Sequence, residues 1–232
     1  MTIYPVTDVI IPAYNESLSI GKVIRDIPEG LVRDIIVCNN GSTDDTAICA
    51  RKAGAIVVHE SSRGYGNACL AGMKYIMARP IDAHPEVVIF MDGDYSDYPE
   101  EMHLLLEPIK TGKDLVIGSR VIGQPEKGAM TVPQRFGNWL ATNLISMLFG
   151  FRFTDLGPFR AIRWNKLLQL DMKDKTFGWT VEMQVKALKN QMYCTEVPVS
   201  YRKRIGKSKV SGTIKGTILA GYKILWTIFK SI

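Results

Sequence analysis

The chain has 232 residues, enough to bury a proper core as one large α/β domain or two small ones. With 46% hydrophobic and 22% charged residues it has the composition of a globular protein and not of a disordered or fibrous one. A net charge of +6 favours an anionic partner, whether nucleic acid, an acidic membrane surface or a phosphorylated ligand. The four cysteines, Cys38, Cys49, Cys69 and Cys194, have no CxxC spacing. They argue against zinc and against a disulfide framework, and read as small apolar residues of a reducing compartment. The first residues enter a strand pattern with no signal-peptide layout, which predicts a cytoplasmic protein.

In chain order, the apolar runs at 8–14, 34–38, 55–59, 86–92 and 114–118 predict buried strands, rich in Val and Ile. Helical spacing fills the intervals between them, and two of these helical stretches end at Gly. Such alternation predicts an α/β fold, a largely parallel sheet with helices on both faces. Residues 119–132 read as a loop and 133–150 as one amphipathic helix. The organisation expected is one domain over 1–212, with a ligand-binding front half (1–118) and an acceptor half (119–212), followed by a helix over 213–232.

In open α/β sheets ligands sit beyond the carboxyl ends of the strands. The polar clusters fall there: PAYNE (12–16), NNGSTDD (39–45), SSRGYGN (61–67), DGDYSD (92–97) and GSR (118–120). Turn chemistry explains one such cluster, but five on one edge make a site. Asp92, Asp94 and Asp97 repel one another and call for a cation, and hard divalent ions are held by carboxylate oxygens. Asp94 is the first candidate metal ligand and Asp92 the second, with Mg²⁺ or Mn²⁺ as the ion. Ser96, Asp97, a diphosphate and water stay open as the third. SSRGYGN lacks the Gly-Lys-Ser/Thr ending of a phosphate-binding Walker loop; its two glycines let backbone approach a phosphate or sugar, or simply make a turn.

VIIPAYNE, NNGSTDDT, MDGD and GSR, in this order, resemble the GT-A glycosyltransferases of family two. The later FTDLGPFRA (153–161), GWTVEMQ (178–184) and EVPVSYRKRIGKSK (196–209) are similar to the branch that moves mannose or glucose onto dolichyl or polyprenyl phosphate. The resemblance implies a GT-A fold and a UDP- or GDP-hexose donor. Pro12, Tyr14, Glu16, Asn39, Asn40 and Gly41 are then nucleotide-binding, and Asp92 lies either on the metal or closer to the ribose. Asn39 stands where relatives have an acid, which leaves the base unassigned; an amide both donates and accepts. Glu16 also suits the first turn of a helix, and Ser42 or Thr43 suits an N-cap.

The same resemblance makes Arg120 and Arg135 ligands of the acceptor's phosphate, as planar guanidinium forks allow. RKRIGKSK (202–209) holds five cations in eight residues, and a charge run is often only a solvated face. In the family it is a mobile loop, so Arg204, Ser208 and Lys209 are implied to close over the diphosphate and exclude water. Asp155 and Glu182 are the acids available as a base if the acceptor is a hydroxyl; a polyprenyl phosphate needs none. Asp155 can instead position the sugar or a cation, or pair with Arg160, and Glu182 can pair with Lys186 at i, i+4.

The tail, 213–232, has helical spacing, with Ile214, Ile218, Leu225, Phe229 and Ile232 on one side and Lys215, Lys223 and Lys230 near one another. Three lysines disfavour a span, so it reads either as a membrane-interface helix or as a core-packed helix with snorkelling lysines. The function expected is metal-dependent, inverting transfer of a hexose to a polyprenyl phosphate at the cytosolic membrane face. Transfer to a hydroxyl and a non-catalytic sugar-nucleotide-binding subunit are the alternatives. No stacking platform accompanies the cations, so nucleic acid is not an expected partner.

Overall fold

The computed structural model describes residues 4–206 and the helix 214–230, the latter's side chains from residue 221 onward. Five strands fall where the Val/Ile runs predict: β1 (Thr7–Ala13), β2 (Asp34–Asn39), β3 (Ile56–His59), β4 (Val87–Phe90) and β5 (Leu115–Pro125). Two more, β6 (Arg160–Arg163) and β7 (Cys194–Tyr201), complete one sheet of order β3-β2-β1-β4-β6-β5-β7. Only β6 runs antiparallel to its neighbours, β4 and β5. The largely parallel α/β sheet is as expected, but 119–132 is not wholly loop. β5 continues to Pro125 because β7 pairs alongside it, with an irregularity between Ser119 and Gln124.

Helices cover both faces, as the alternating run of strands and helices requires. Successive β1 side chains point to opposite faces. Val9 and Ile11 therefore join one core, under α1 (Ile20–Asp26), α2 (Thr46–Lys52) and α4 (Met102–Lys110). Ile10 joins the other, under α3 (Tyr65–Met77), α5 (Val132–Phe149), α7 (Trp179–Lys189) and α8 (Ile214–Lys230). A short α6 (Trp164–Gln169) follows β6. α5 begins with a capping box, in which the Thr131 side chain accepts from Gln134 N and Gln134 reaches back to Thr131 N, and it ends at Gly150 in the left-handed conformation.

α8 packs on the core along one edge. Thr227 and Ile228 are buried, and Ile224 packs on the same core, while Tyr222, Trp226 and Phe229 face outward. Phe229 is thus not on the core side; among the described side chains of α8, Ile224, Thr227 and Ile228 are the ones turned to the core. No helix among the described residues is long and apolar enough to cross a membrane.

The glycines of SSRGYGN admit a neighbouring segment of the chain, and Gly64 also lines the cleft described below. A Cβ on Gly66 would lie 1.9 Å from Asp174 O, and one on Gly64 would lie 2.1 Å from Lys175 O. The segment 174–176 packs directly on this turn, and Gly66 N donates to Thr176 O at 3.2 Å. Gly66→Ala should therefore force backbone apart and cost about 2 kcal/mol or more, several degrees of Tm. A thermal melt unchanged by this substitution would show that the two segments are not in contact.

Candidate active site

Strands are added outward from β1 in one direction to β3 and then in the other from β4, so the topological switch falls between β1 and β4. The loops after these two strands face each other across a cleft of about 320 Å³. Pro12, Tyr14 and Glu16 form one wall, Asp92 and Asp94 the other, and Asn40 and Arg204 complete the lining. Arg204 ties the walls together: Nη2 donates to Glu16 Oε1 at 2.8 Å, and Nη1 lies 3.1 Å from Asp94 Oδ2.

Asp94 is held from behind. Its Oδ1 accepts from Ser96 N at 2.9 Å and from Ser96 Oγ at 2.5 Å, so Ser96 orients this carboxylate. The chain that carries Arg204 is stitched to the same loop. Asp97 and Tyr201 form an antiparallel bridge, Arg202 N donates to Ser96 O, and Ile205 N donates to Asp94 O, both at 2.9 Å. Residues 202–205 are therefore not a free loop, because β7 delivers them to the Asp94 turn. Ser208 and Lys209 lie outside the described residues.

The acids are crowded. Burial, and then the neighbouring Asp94, push the Asp92 carboxyl up to about 7. Asp97 is 1% exposed, and burial followed by Asp92 and Asp94 raises it well above the usual carboxylate range. Folded Asp92 thus keeps a proton that the unfolded chain releases near pH 4, and its contribution to stability falls as pH rises through about 7. Urea midpoints should be higher at about pH 5 than at about pH 7.5, and the gap should narrow in Asp92→Asn. An undiminished gap in that variant would assign the effect elsewhere.

Around the cleft, the buried atoms Asp97 Oδ1 and Arg204 Nε have no hydrogen-bond partner among the described residues. Buried orphans at a site mark groups that a ligand or ion can satisfy. Among the described residues no three His, Cys, Asp or Glu side chains are grouped so as to enclose a metal. Asp92 and Asp94 alone fit a magnesium-like ion, which takes one or two carboxylates and completes its shell with phosphates and water.

The loop after β2 supports the cleft. Asn40 donates to Ser62 O at 2.7 Å and accepts from Gly64 N at 2.8 Å, which pins the β3 loop. Asn39 is turned away, between His59 Nδ1 and Ser42 N, both at 3.3 Å. Gly41 has φ +65°, beside Arg63. The α2 N-terminus is served by Asp44, which accepts from Thr46 N and Ser17 N, and not by Ser42 or Thr43. Arg63 is a cleft residue that the sequence reading missed. Its guanidinium lies 3.8 Å from the centre of the Tyr14 ring, a cation–π stack, and no motif spacing marks it.

Arg120 and Asp155 form one unit. Nε and Nη2 of Arg120 donate to the two Asp155 oxygens at 2.8 and 2.7 Å, and Arg120 N adds a third bond at 2.8 Å. Asp155 is fully buried. Burial opposes the Arg120 charge, but the Asp155 carboxylate outweighs it and holds the guanidinium well above its usual value. Arg160 is not the partner of Asp155: it is buried among the carbonyls of Leu156, Gly157 and Thr180, and burial lowers it to about 10. Glu182 is not brought to the cleft. It caps the backbone of Lys173 and Asp174 and pairs with Lys186 at 2.7 Å.

A second cavity, about 370 Å³, opens beside α5, lined by Arg120, Arg135 and Arg152 with Trp139, Met130 and Phe153 among its walls. Arg152 was not singled out by the sequence. A third, about 310 Å³, joins the two, with Asp92, Asp94, Arg120 and Arg204 on one side and α5 and α8 on the other.

An acid-bearing turn at the switch point of an open sheet, with a cationic cavity alongside, is the arrangement of the GT-A glycosyltransferases. The family model described as "Glycosyl transferase family 2" matches residues 8–177, and the chain belongs to that family. It is 33% identical over 218 residues to a dolichyl-phosphate hexose transferase of Haloferax volcanii, covering 90% of each chain. To an undecaprenyl-phosphate mannosyltransferase of Micrococcus luteus it is 31% identical over 222 residues, covering 89% of this chain and 88% of the other. The crystal structure of glucosyl-3-phosphoglycerate synthase from Mycobacterium tuberculosis with Mn²⁺, UDP and phosphoglyceric acid superposes with a TM-score of 0.75. That match is 22% identical and covers 98% of this chain and 78% of that one, so it bears on the fold.

Proposed function

We propose that this glycosyltransferase moves a hexose from a nucleotide diphosphate sugar to a polyprenyl phosphate, with inversion, at a membrane surface. The observation that carries the reading is the arginine-lined cavity beside the cleft, together with the engagement elsewhere of Asp155 and Glu182, the two acids expected as a base. Asp155 is bound at both oxygens by Arg120, and Glu182 caps a different loop. A hydroxyl acceptor needs a base to take its proton, whereas a phosphate oxygen is already anionic near neutral pH. The relatives named for dolichyl and undecaprenyl phosphate support the same acceptor class.

In this reading residues 1–118 hold the donor and 119–212 the acceptor. Pro12, Tyr14, Glu16, Asn40 and Gly41 shape the nucleotide site, with Asn39 behind them. Asp92 and Asp94 would hold a Mg²⁺ or Mn²⁺ ion, which would supply charge neutralisation for the departing diphosphate. Arg204 exchanges its contacts with Glu16 and Asp94 for the diphosphate, joined by Ser208 and Lys209. Arg120, oriented by Asp155, and Arg135 place the lipid phosphate. One of its oxygens attacks the sugar's C1 as the C1–O bond to the diphosphate breaks, and the electron pair leaves on the nucleoside diphosphate.

The test is nucleoside diphosphate release with Mg²⁺ or Mn²⁺, offering UDP-glucose and GDP-mannose in turn, with and without a short polyprenyl phosphate. Release that requires the lipid phosphate is expected. Donor binding with no lipid-stimulated release would move the reading to a hydroxyl acceptor or to a non-catalytic subunit.

A further inference from the structure

Phe177 is a large apolar side chain that neither core takes up. It is half-buried and belongs to neither of the two core clusters. It lines the cleft between the β1 and β4 loops, and it also lines the cavity that joins this cleft to the arginine-lined one. Asp92, Asp94 and Arg204 line both as well, so the phenyl stands where the acid-bearing turn opens toward Arg120. A packing role would bury it in the core, and an aromatic on two cavity walls is placed for a ligand.

The backbone on both sides of Phe177 is fixed. Its two neighbours, Thr176 and Gly178, both donate through N to Asp174 Oδ1, at 2.7 and 3.1 Å. Asp174 is itself held: its N donates to Glu182 Oε2 at 2.7 Å, and its Oδ2 lies 2.9 Å from Lys223 Nζ of α8. From the other side Gly66 N donates to Thr176 O and Asn67 N to Lys175 O, at 3.2 and 3.0 Å. Gly178 admits α8 here, since a Cβ on it would lie 2.5 Å from Asp174 Oδ2 and from Thr227 Oγ1. Glu182, which supplies no base to the cleft, thus holds the segment that carries Phe177. A side chain that must meet a ligand in one orientation needs a supporting shell of this kind.

The place of the sugar follows from the reaction, and this step rests on the transfer proposed above. A hexose is joined through C1 to the diphosphate, which that reading sets at Asp94 and Arg204, and C1 must face the acceptor beside Arg120. The ring then occupies the joining cavity, against the wall that Phe177 helps to form. A pyranose carries C–H groups on its faces, and an aromatic ring buries them while the hydroxyls at the rim meet polar partners. We infer that Phe177 is the platform on which the donor's hexose stacks, positioned by Asp174 and, behind it, Glu182.

The experiment is calorimetric titration of the full chain with Mg²⁺ or Mn²⁺ present and no acceptor, so the identity of the acceptor does not enter. UDP and GDP are compared with UDP-glucose and GDP-mannose, for wild type, Phe177→Ala and Phe177→Tyr. In Phe177→Ala the Kd of the nucleotide sugar is expected to rise about tenfold, while that of the bare nucleoside diphosphate stays within about twofold. Phe177→Tyr keeps the ring and should bind both as wild type does. Sugar-nucleotide affinity unchanged in Phe177→Ala overturns the inference. So does an equal loss for the bare diphosphate, since the phenyl would then shape the cleft and not bind the sugar. A Phe177→Tyr variant as weak as Phe177→Ala overturns it too. Wild type that binds none of the four nucleotides refutes the donor reading, and the inference falls with it. The expected binding pattern with no transfer to any polyprenyl phosphate supports the platform and refutes the acceptor reading alone.

Discussion

Asp94→Asn is expected to lower turnover by at least about 10²–10³-fold while leaving the melting temperature unchanged or raised. The amide keeps an oxygen for Ser96 N and Oγ, so the turn is retained. It presents an N–H₂ in place of the charged oxygen that faces Arg204 at 3.1 Å, and a donor against a donor leaves Arg204 held only by Glu16. A site for a divalent ion is then reduced to Asp92. Stability should move the other way, because removing one charge from Asp92, Asp94 and Asp97 relieves repulsion that burial makes severe. Loss of activity with no loss of fold is the signature of a group that acts on ligand. Turnover within tenfold of wild type, at saturating metal, would remove Asp94 from the site.

Arg120→Met should cost about 3–5 kcal/mol of stability and abolish transfer to a lipid phosphate. The stability loss comes from Asp155, which is fully buried and would lose its only ion-pair partner among the described residues. Adding Asp155→Leu removes the stranded charge, so the double variant should recover most of the stability in urea and none of the activity. That asymmetry separates the two jobs of Arg120. If the double variant regained transfer, Arg120 would be structural alone. If Arg120→Met were as stable as wild type, the pair would not be the buried unit described here.

The parallel half of the fold was legible because it is written in unbroken Val and Ile runs: 8–14, 34–38 and 86–92 each contain the observed strand or nearly so. β6 was not legible. Arg160 at its start donates to carbonyls, and only the folded chain shows that a charged residue sits at full burial there. β7 carries Glu196 and Pro198 on a half-exposed edge, and the second part of β5 is a strand only because β7 lies beside it. The motifs at the ends of β1 and β4 lead to one cleft because strand order places those ends together, a consequence of α/β topology that sequence order alone permits one to expect. The Arg120–Asp155 pair spans 35 residues and the Arg63–Tyr14 stack 49, and neither leaves a spacing signal. At Gly64 and Gly66 a constraint on the backbone was legible, but the segment 174–176 that packs on them lies far along the chain and leaves no local signal.

The most direct measurement offers the enzyme a short polyprenyl phosphate and the matching polyprenol together, with a sugar nucleotide and Mg²⁺ or Mn²⁺, and weighs the lipid products by mass spectrometry. The account predicts a single hexose added to the phosphate and an untouched alcohol, with no carboxylate variant shifting that preference. A hexose on the polyprenol would contradict it and would require a base in the position that Asp155, bound to Arg120, does not supply.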